Sequence, residues 1–285
     1  MLILWKETEK IEDFRLKNED FMKTYKQVFA ELNRAALIPF FVLGDPDFDS
    51  SFEIIKAAID AGADILELGI AFSDPIADGP TIQKADIRAL AAGMNIEKAK
   101  KLIKKIKAYK DIPIGLLMYY NLIYQYGAEK FFADFAAIGV NSVLIADLSI
   151  DDADEIYAPA RSAGLDTVFM ITPNTETARA KRIAEKCTGF IYTVSLLGVT
   201  GGRETLSDMV KPLITRLKSF TDVPVCVGFG ISKPEHAVQL AKAGADGVII
   251  GSRIVKIIED NLNDKKSIPA KVAEFIKQIK QAIAN

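Results

Sequence analysis

Short apolar runs rich in β-branched residues alternate along this chain with longer stretches whose apolar positions recur at helical spacing, the pattern of strands interleaved with amphipathic helices. One junction repeats. Four times an alanine-rich helical pattern ends in Gly, passes one residue, reaches Asp or Asn and enters a strand-like run: AGADILEL from Ala61, IGVNSVLI from Ile138, AGLDTVFM from Ala163 and AGADGVII from Ala243. Glycine supplies the left-handed conformation that ends a helix, and short runs that are apolar throughout read as strands covered on both faces. Further strands are predicted at Ile38–Leu43, Ile114–Met118, Phe190–Val194 and Val225–Val227, which makes eight. Helices are predicted over Phe52–Ala61, Thr81–Ala92, Ile96–Ala108, Ala128–Ala137, Asp152–Ala163, Glu176–Lys186, Ser207–Ser219 and Pro234–Ala243.

Eight alternating units over roughly 220 residues match the size of a (β/α)8 or TIM barrel, an α/β fold, and no Pro/Gly/Ser-rich linker divides the chain. An open doubly wound sheet is the alternative arrangement of the same elements. Phe14–Leu32 and Ile254–Ile283 predict extra helices at the two ends, and the charged segment Glu7–Glu19 predicts an exposed extension. Residues 1–19 are thus expected to form an N-terminal extension and residues 20–285 a single barrel domain.

Composition narrows the function classes. The chain has 285 residues, 49% of them hydrophobic, enough to bury a large core. Its 36 basic and 38 acidic residues nearly cancel, and no basic cluster is long enough to track a phosphate backbone, so nucleic acid is not expected as a partner. Cys187 and Cys226 stand at no metal-like spacing, which suits a reducing compartment and argues against a disulfide framework or a structural zinc. His236, the sole histidine, lies in the helical-looking PEHAVQLAKAG and reads as a solvated helix residue, leaving no material for a histidine triad or a histidine-rich metal site. No apolar run reaches bilayer-spanning length, and Met1–Trp5 is too short for the core of a secretory signal. A cytoplasmic protein without a membrane partner is expected.

The stretch LELGIAFSDPIADGPTIQ, from Leu66 to Gln83, breaks the pattern of buried strands by placing an acid inside one of them. Ile65, Leu66 and Leu68 make the surroundings of Glu67 apolar, where an ionised carboxylate is costly unless paired, hydrogen-bonded or held protonated. Glu67 is therefore a candidate acid/base, the plain alternative being a residue that faces solvent or pairs with a Lys or Arg. Asp74, Pro75, Asp78, Gly79 and Pro80 form a turn-rich loop that brings the second carboxylate, Asp78, back towards the same strand end. In a barrel that end carries the active site. The last three units carry glycines instead: GVTGG at Gly198–Gly202, GFG at Gly228–Gly230 and Gly251-Ser252. Exposed backbone N–H groups there, with the start of a helix near Ser252, would bind a dianionic phosphate. The dinucleotide fingerprint GxGxxG is not matched at Gly228, since Ile231, Ser232 and Lys233 follow Gly230.

Phe40–Pro46, Leu66–Gln83, Gly115–Tyr119, Gly198–Gly201, Gly228–Ser232 and Gly251–Glu259 together resemble the tryptophan synthase alpha subunit family, over nearly the whole chain from about residue 20 to 262. The resemblance implies a (β/α)8 barrel that cleaves indole-3-glycerol phosphate to indole and glyceraldehyde 3-phosphate. It implies Glu67 and Asp78 as the catalytic acids and Tyr192 as a tyrosine near the glutamate. Thr200 becomes a threonine that bonds the aspartate on loop closure. Phe40, Leu117, Tyr119, Leu144 and Phe229 become the walls of an indole pocket, and Gly201, Gly230, Gly251 and Ser252 the phosphate site. It further implies a pyridoxal-phosphate beta subunit as partner, in an alpha2beta2 tetramer, with no metal and no cofactor on this chain. Four positions depart from the family pattern: Ala71 and Ser149 replace prolines, Leu196 an arginine and Val42 a threonine. Both proline positions lie in or near the surface expected to meet the beta subunit. The alternative readings are a stand-alone indole-3-glycerol phosphate lyase, a non-catalytic phosphate-binding regulatory subunit and, on fold analogy alone, a sugar-phosphate isomerase or epimerase.

Overall fold

Strands form where the apolar runs predict them. The structure, a computed structural model, describes residues 23–194, 206–228 and 230–284. In chain order the strands are β1 (Ala36–Val42), β2 (Leu66–Gly69), β3 (Ile114–Met118), β4 (Ser142–Ile145), β5 (Asp166–Thr167), β6 (Phe169–Ile171), β7 (Ile191–Val194), β8 (Val225–Gly228) and β9 (Gly247–Ile250). Each pairs in parallel with its neighbours in the order β5-β4-β3-β2-β1-β9-β8-β7-β6. The first and last members of that order are two pieces of one strand, interrupted at Val168, so the sheet closes into the (β/α)8 barrel. The predicted fifth strand is split because its first half pairs with β4 and its second half with β7.

Alternate residues of each strand face opposite ways, as the pleat requires. Leu37, Phe41, Leu66, Leu68, Leu116, Val143, Val225, Val227 and Val248 pack outward in the large core shared with the helices. Ile38, Ile65, Leu144, Val168, Phe190, Cys226 and Ile249 fill the barrel interior. This double burial is why the strands read as apolar throughout.

The helices are α1 (Tyr25–Glu31), α2 (Phe48–Asp60), α3 (Pro80–Ala91), α4 (Ile96–Tyr109), α5 (Tyr120–Tyr126), α6 (Ala128–Ala137), α7 (Ala153–Ser162), α8 (Thr177–Lys186), α9 (Leu206–Lys218), α10 (Pro234–Lys242), α11 (Ser252–Glu259) and α12 (Ile268–Ala284). Four differ from expectation. Helix α2 begins before Phe52 because Asp47 caps it, its carboxylate accepting from Ser50 N at 2.9 Å. The helix predicted over Ile254–Ile283 is broken into α11, a 3-10 segment at Leu262–Ser267 and α12, with Asp264 outside helical geometry. The intervening NLNDKK run offers little apolar surface to bury, so nothing holds a continuous helix there. Within the described part of Phe14–Leu32, the helix begins only after Thr24, which forms a capping box with Gln27. The rest of that prediction and the Glu7–Glu19 extension lie outside the described residues. Helix α5 was not predicted, since it buries only Ile123 and shows no helical apolar period.

Tyr25 of α1 closes the N-terminal floor of the barrel. Its hydroxyl shares a 2.7 Å hydrogen bond with Ser142, and its ring stands edge-on to Phe190 at 5.5 Å. The open end is the opposite one.

Candidate active site

The site is built at the C-terminal mouth, where β2 hands over to the loop before α3. Because Leu66 and Leu68 face the helices, Glu67 between them faces the interior, opposite Phe40 of β1 and Gly115 of β3. It is 4% exposed, and among the described residues its Oε2 has no hydrogen-bond partner. Burial, and secondarily the charge of Asp78, push the Glu67 carboxyl up to about 8. Near neutral pH it carries a proton.

Asp78 comes from the loop and is held by a different strand. The Tyr119 hydroxyl donates to its Oδ2 at 2.6 Å and itself accepts from the Ala77 N–H at 3.0 Å. The Tyr119 ring stacks on Phe72 with centroids 5.1 Å apart. Gln83, in the first turns of α3, donates from Nε2 to the Asp78 carbonyl at 2.9 Å. Burial raises the Asp78 carboxyl above its usual range while the Tyr119 hydrogen bond opposes that rise. Two acids with unlike surroundings therefore face one space.

That space is a cavity of about 580 Å³. Phe40, Glu67, Leu117 and Tyr192 line its strand side, Ala77 to Ile82 the loop side, and Gly230 to Ser232 with Gly251 to Arg253 and Lys256 the far side. Small residues make room for the large ones. A Cβ at Gly228 would meet the Tyr192 ring at 2.3–2.7 Å, and one at Gly69 the Phe40 ring at 2.9 Å. Gly230 has φ 72, in the left-handed region, and turns the chain after β8 across the mouth. Gly251 precedes α11, whose first N–H groups have no partner within the helix and lie at the cavity edge through Ser252 and Arg253.

Most predicted site residues thus meet in one place: Phe40, Glu67, Leu117, Asp78, Tyr192, Gly230, Gly251 and Ser252. Tyr119 is placed differently from its predicted role, since it holds Asp78 through its hydroxyl and is not among the lining residues. Leu144 packs in the interior cluster with Ile65 and Ile249 and does not line the cavity. Thr200, Gly201 and Phe229 lie outside the described residues, as does Leu196. His236 is half-buried rather than solvated, with Nδ1 2.8 Å from the Gly230 carbonyl oxygen and 3.3 Å from the Ser232 N–H, where it braces the glycine loop. Sequence reasoning missed Phe72, Gln83, Ser232 and Asp86. Asp86 had a signal: it falls on the buried stripe of α3 with Ile82, Ala85 and Ala89. Among the described residues no cluster of three or more His, Cys, Asp or Glu could hold a metal ion.

The family model described as tryptophan synthase alpha chain matches residues 26–284, over nine-tenths of the sequence. The chain belongs to the tryptophan synthase alpha chain family. Its tryptophan synthase alpha chain relative from Methanothermobacter thermautotrophicus is 46% identical over 259 residues, covering 91% of this chain and 96% of the relative. The one from Helicobacter pylori is 43% identical, covering 88% and 97%. Among solved structures, the tryptophan synthase alpha subunit of Legionella pneumophila superposes with a TM-score of 0.85 at 30% identity, covering 93% of this chain and 99% of that one. A chain of the tryptophan synthase a2b2 complex of Pyrococcus furiosus superposes with a TM-score of 0.81 at 40% identity, covering 87% and 98%. Against this tryptophan synthase alpha chain background, the departing Ala71 is buried where β2 leaves the barrel, and Val42 is buried at the end of β1. Ser149 is exposed, and its hydroxyl accepts from Arg179 at 3.1 Å.

Proposed function

We propose that this chain cleaves indole-3-glycerol phosphate to indole and glyceraldehyde 3-phosphate, as the alpha subunit of tryptophan synthase in tryptophan biosynthesis. The observation that carries the reading is the pair of unlike acids across one cavity: Glu67 buried, protonated and with an oxygen lacking a partner, Asp78 held by a phenol. Breaking the carbon–carbon bond requires the indole ring to leave. Protonation of its C3 by Glu67 places positive charge on the ring nitrogen, and the ionised Asp78 accepts a hydrogen bond from that N–H. The Glu67 carboxylate then takes the proton of the side-chain hydroxyl. The C–O bond becomes a carbonyl, the C–C bond breaks and its electrons restore the aromatic indole. Glu67 ends protonated, so the cycle needs no outside acid.

Phe40, Leu117 and Tyr192 offer the ring an apolar wall, while Gly230, Gly251 and Ser252 offer backbone N–H groups to the phosphate. Every proton moved is accounted for by Glu67, and we assign no metal or redox cofactor to this chain. Pyridoxal phosphate belongs to a beta subunit, proposed as the partner in an alpha2beta2 tetramer. Ile76, 82% exposed in the β2–α3 loop, and the exposed Tyr124 of α5 present large side chains beside the mouth for such docking. No helix among the described residues is long and apolar enough to cross a membrane, and we place the enzyme in the cytoplasm.

The test is turnover of indole-3-glycerol phosphate by the purified chain with and without beta subunit. Glu67→Gln keeps the shape but cannot exchange a proton, and a loss of about 10³-fold is expected. Asp78→Asn removes the charge facing the ring nitrogen and is expected to cost about 10²-fold or more. Inorganic phosphate and glycerol phosphate should compete with substrate, read by calorimetry. Comparable turnover in Glu67→Gln would sink the reading.

A further inference from the structure

Two buried carboxylate oxygens lack a hydrogen-bond partner among the described residues, Oε2 of Glu67 and Oδ2 of Asp86. The first belongs to the reaction above; the second has no part in it. Asp86 lies on α3 and is 5% exposed, with its Oδ1 accepting from the Phe72 N–H at 3.3 Å. Phe72 stacks on Tyr119, and Tyr119 donates to Asp78. The chain of contacts returns to α3 through Gln83, which holds the Asp78 carbonyl. Both ends of the β2–α3 loop are therefore tied to one helix.

We propose that Asp86 is a positioning residue for this reaction, anchoring the backbone of Phe72 so that the Phe72 ring, the Tyr119 phenol and the Asp78 carboxylate stay aligned with the substrate. The inference rests on the role given to Asp78 above.

The charges around Asp86 say in which form it works. From its own helix, Arg88 is committed to Asp45 in a bidentate contact at 2.7 and 2.8 Å, and Lys84 to Glu259 of α11 at 3.1 Å. Asp45 approaches from the loop after β1, Asp78 from the loop after β2 and the Tyr119 phenol from the end of β3. On α11, Lys256 is paired with Glu259 and Asp260. Each of these cations is already engaged, and the acids add up against a further negative charge. Burial first, and then the charge of Asp78, push Asp86 up to about 7. The Phe72 N–H favours the ionised form, but burial and Asp78 outweigh it, so below about pH 7 Asp86 anchors Phe72 as a neutral acid. Its ionisation would set a second buried negative charge beside Asp78 and loosen the loop that presents Asp78 to the indole N–H.

The experiment measures kcat and KM for indole-3-glycerol phosphate from about pH 6 to about pH 9 in the full chain and in Asp86→Asn, Asp86→Ala and Asp78→Asn. In the unmodified chain KM should be flat below about pH 7 and rise about tenfold per pH unit above it. Asp86→Asn, whose amide copies the neutral acid in shape, should hold KM flat across that range while kcat still falls above about pH 8 with Glu67. Asp86→Ala should raise KM several-fold at all pH. If Asp86→Asn retains the original rise in KM, or Asp86→Ala binds normally, the proposal is overturned, and a drop in melting temperature shared by both variants without the change in KM profile overturns it too. Should Asp86→Ala fail to fold, Asp86→Asn decides alone. An active Asp78→Asn would remove the role of Asp78 and the proposal with it. An inactive Asp78→Asn beside an unaltered Asp86→Asn profile overturns the proposal and leaves the role of Asp78 standing.

Discussion

At Glu67 the residues immediately beside it decide its chemistry. An acid between Leu66 and Leu68 reads in the sequence as misplaced, and the structure shows why it is tolerated: the pleat turns it into the barrel, away from its neighbours, where it stays protonated. Two consequences follow for pH. In the proposed reaction the acid form delivers the proton to the ring, so kcat should fall about tenfold per unit above about pH 8, a limb absent from the residual activity of Glu67→Gln. Stability carries the same signature. The folded chain keeps a proton that the unfolded chain releases above 4.5, so folding weakens as pH rises from there to about 8 and is then flat, at up to about 1.4 kcal/mol per pH unit. Glu67→Gln lacks that slope, and urea denaturation of both proteins at pH 5.5 and 7.5 should show the variant gaining on the parent at the higher pH; parallel losses would mean Glu67 is ionised when buried. Glu67 was legible because an acid inside an apolar strand breaks a local rule, and Asp78 because the turn residues around it bring it back to the same strand end. Tyr119 as the holder of Asp78 was not, because a contact spanning 41 residues leaves no trace in local pattern.

Helix α3 is the element that organises the mouth. Gln83, Asp86 and Arg88 reach the Asp78 carbonyl, the Phe72 backbone and Asp45 respectively, so one helix gathers the loops after β1 and β2. Its existence was plain from periodicity, and Asp86 falls on its buried stripe, but Arg88 looks like part of the solvated face until the loop after β1 brings Asp45 to it. The strand glycines do a complementary task on the other side. With no side chain at Gly228, the Tyr192 ring lies flat across β8 beside Glu67. Gly228→Ala should displace that ring, lowering stability by about 1–3 kcal/mol through overpacking and reducing turnover at the same time, measured by thermal melts and steady-state rates. An unchanged rate with a lowered melting temperature would show that the position of Tyr192 does not matter to the chemistry. The split of the fifth strand could not be read in the sequence: AGLDTVFM ends in the unbroken strand-like run TVFM, and only the need to change partners at Val168 divides it.

For the whole molecule, repetition made the architecture legible, since eight alternating strand and helix units leave few alternatives and the open doubly wound sheet is excluded by ring closure. The assembly is harder to read from one chain. Ala71 gives the β2–α3 loop more backbone freedom than proline would, and Ser149 receives Arg179, which also pairs with Asp151. Titrating a cognate beta subunit should form a complex whose stimulation of indole release increases in Ala71→Pro with Ser149→Pro. No gain in the double variant would make the two departures neutral, and absence of a complex would favour a stand-alone lyase. The ring itself has unequal joints. β1 is paired over its whole length, Ala36–Pro39 with β9 and Phe40–Val42 with β2, whereas β5 holds β4 by two register pairs, Ser142 with Asp166 and Val143 with Thr167. A barrel fastened this way has a clasp. In deuterated water the amides of Asp166 to Ile171 should exchange through local opening well before those of Leu37, Ile38, Phe40 and Phe41, which only the unfolding of the entire ring would release, so time in heavy water would order the strands by how the ring was shut.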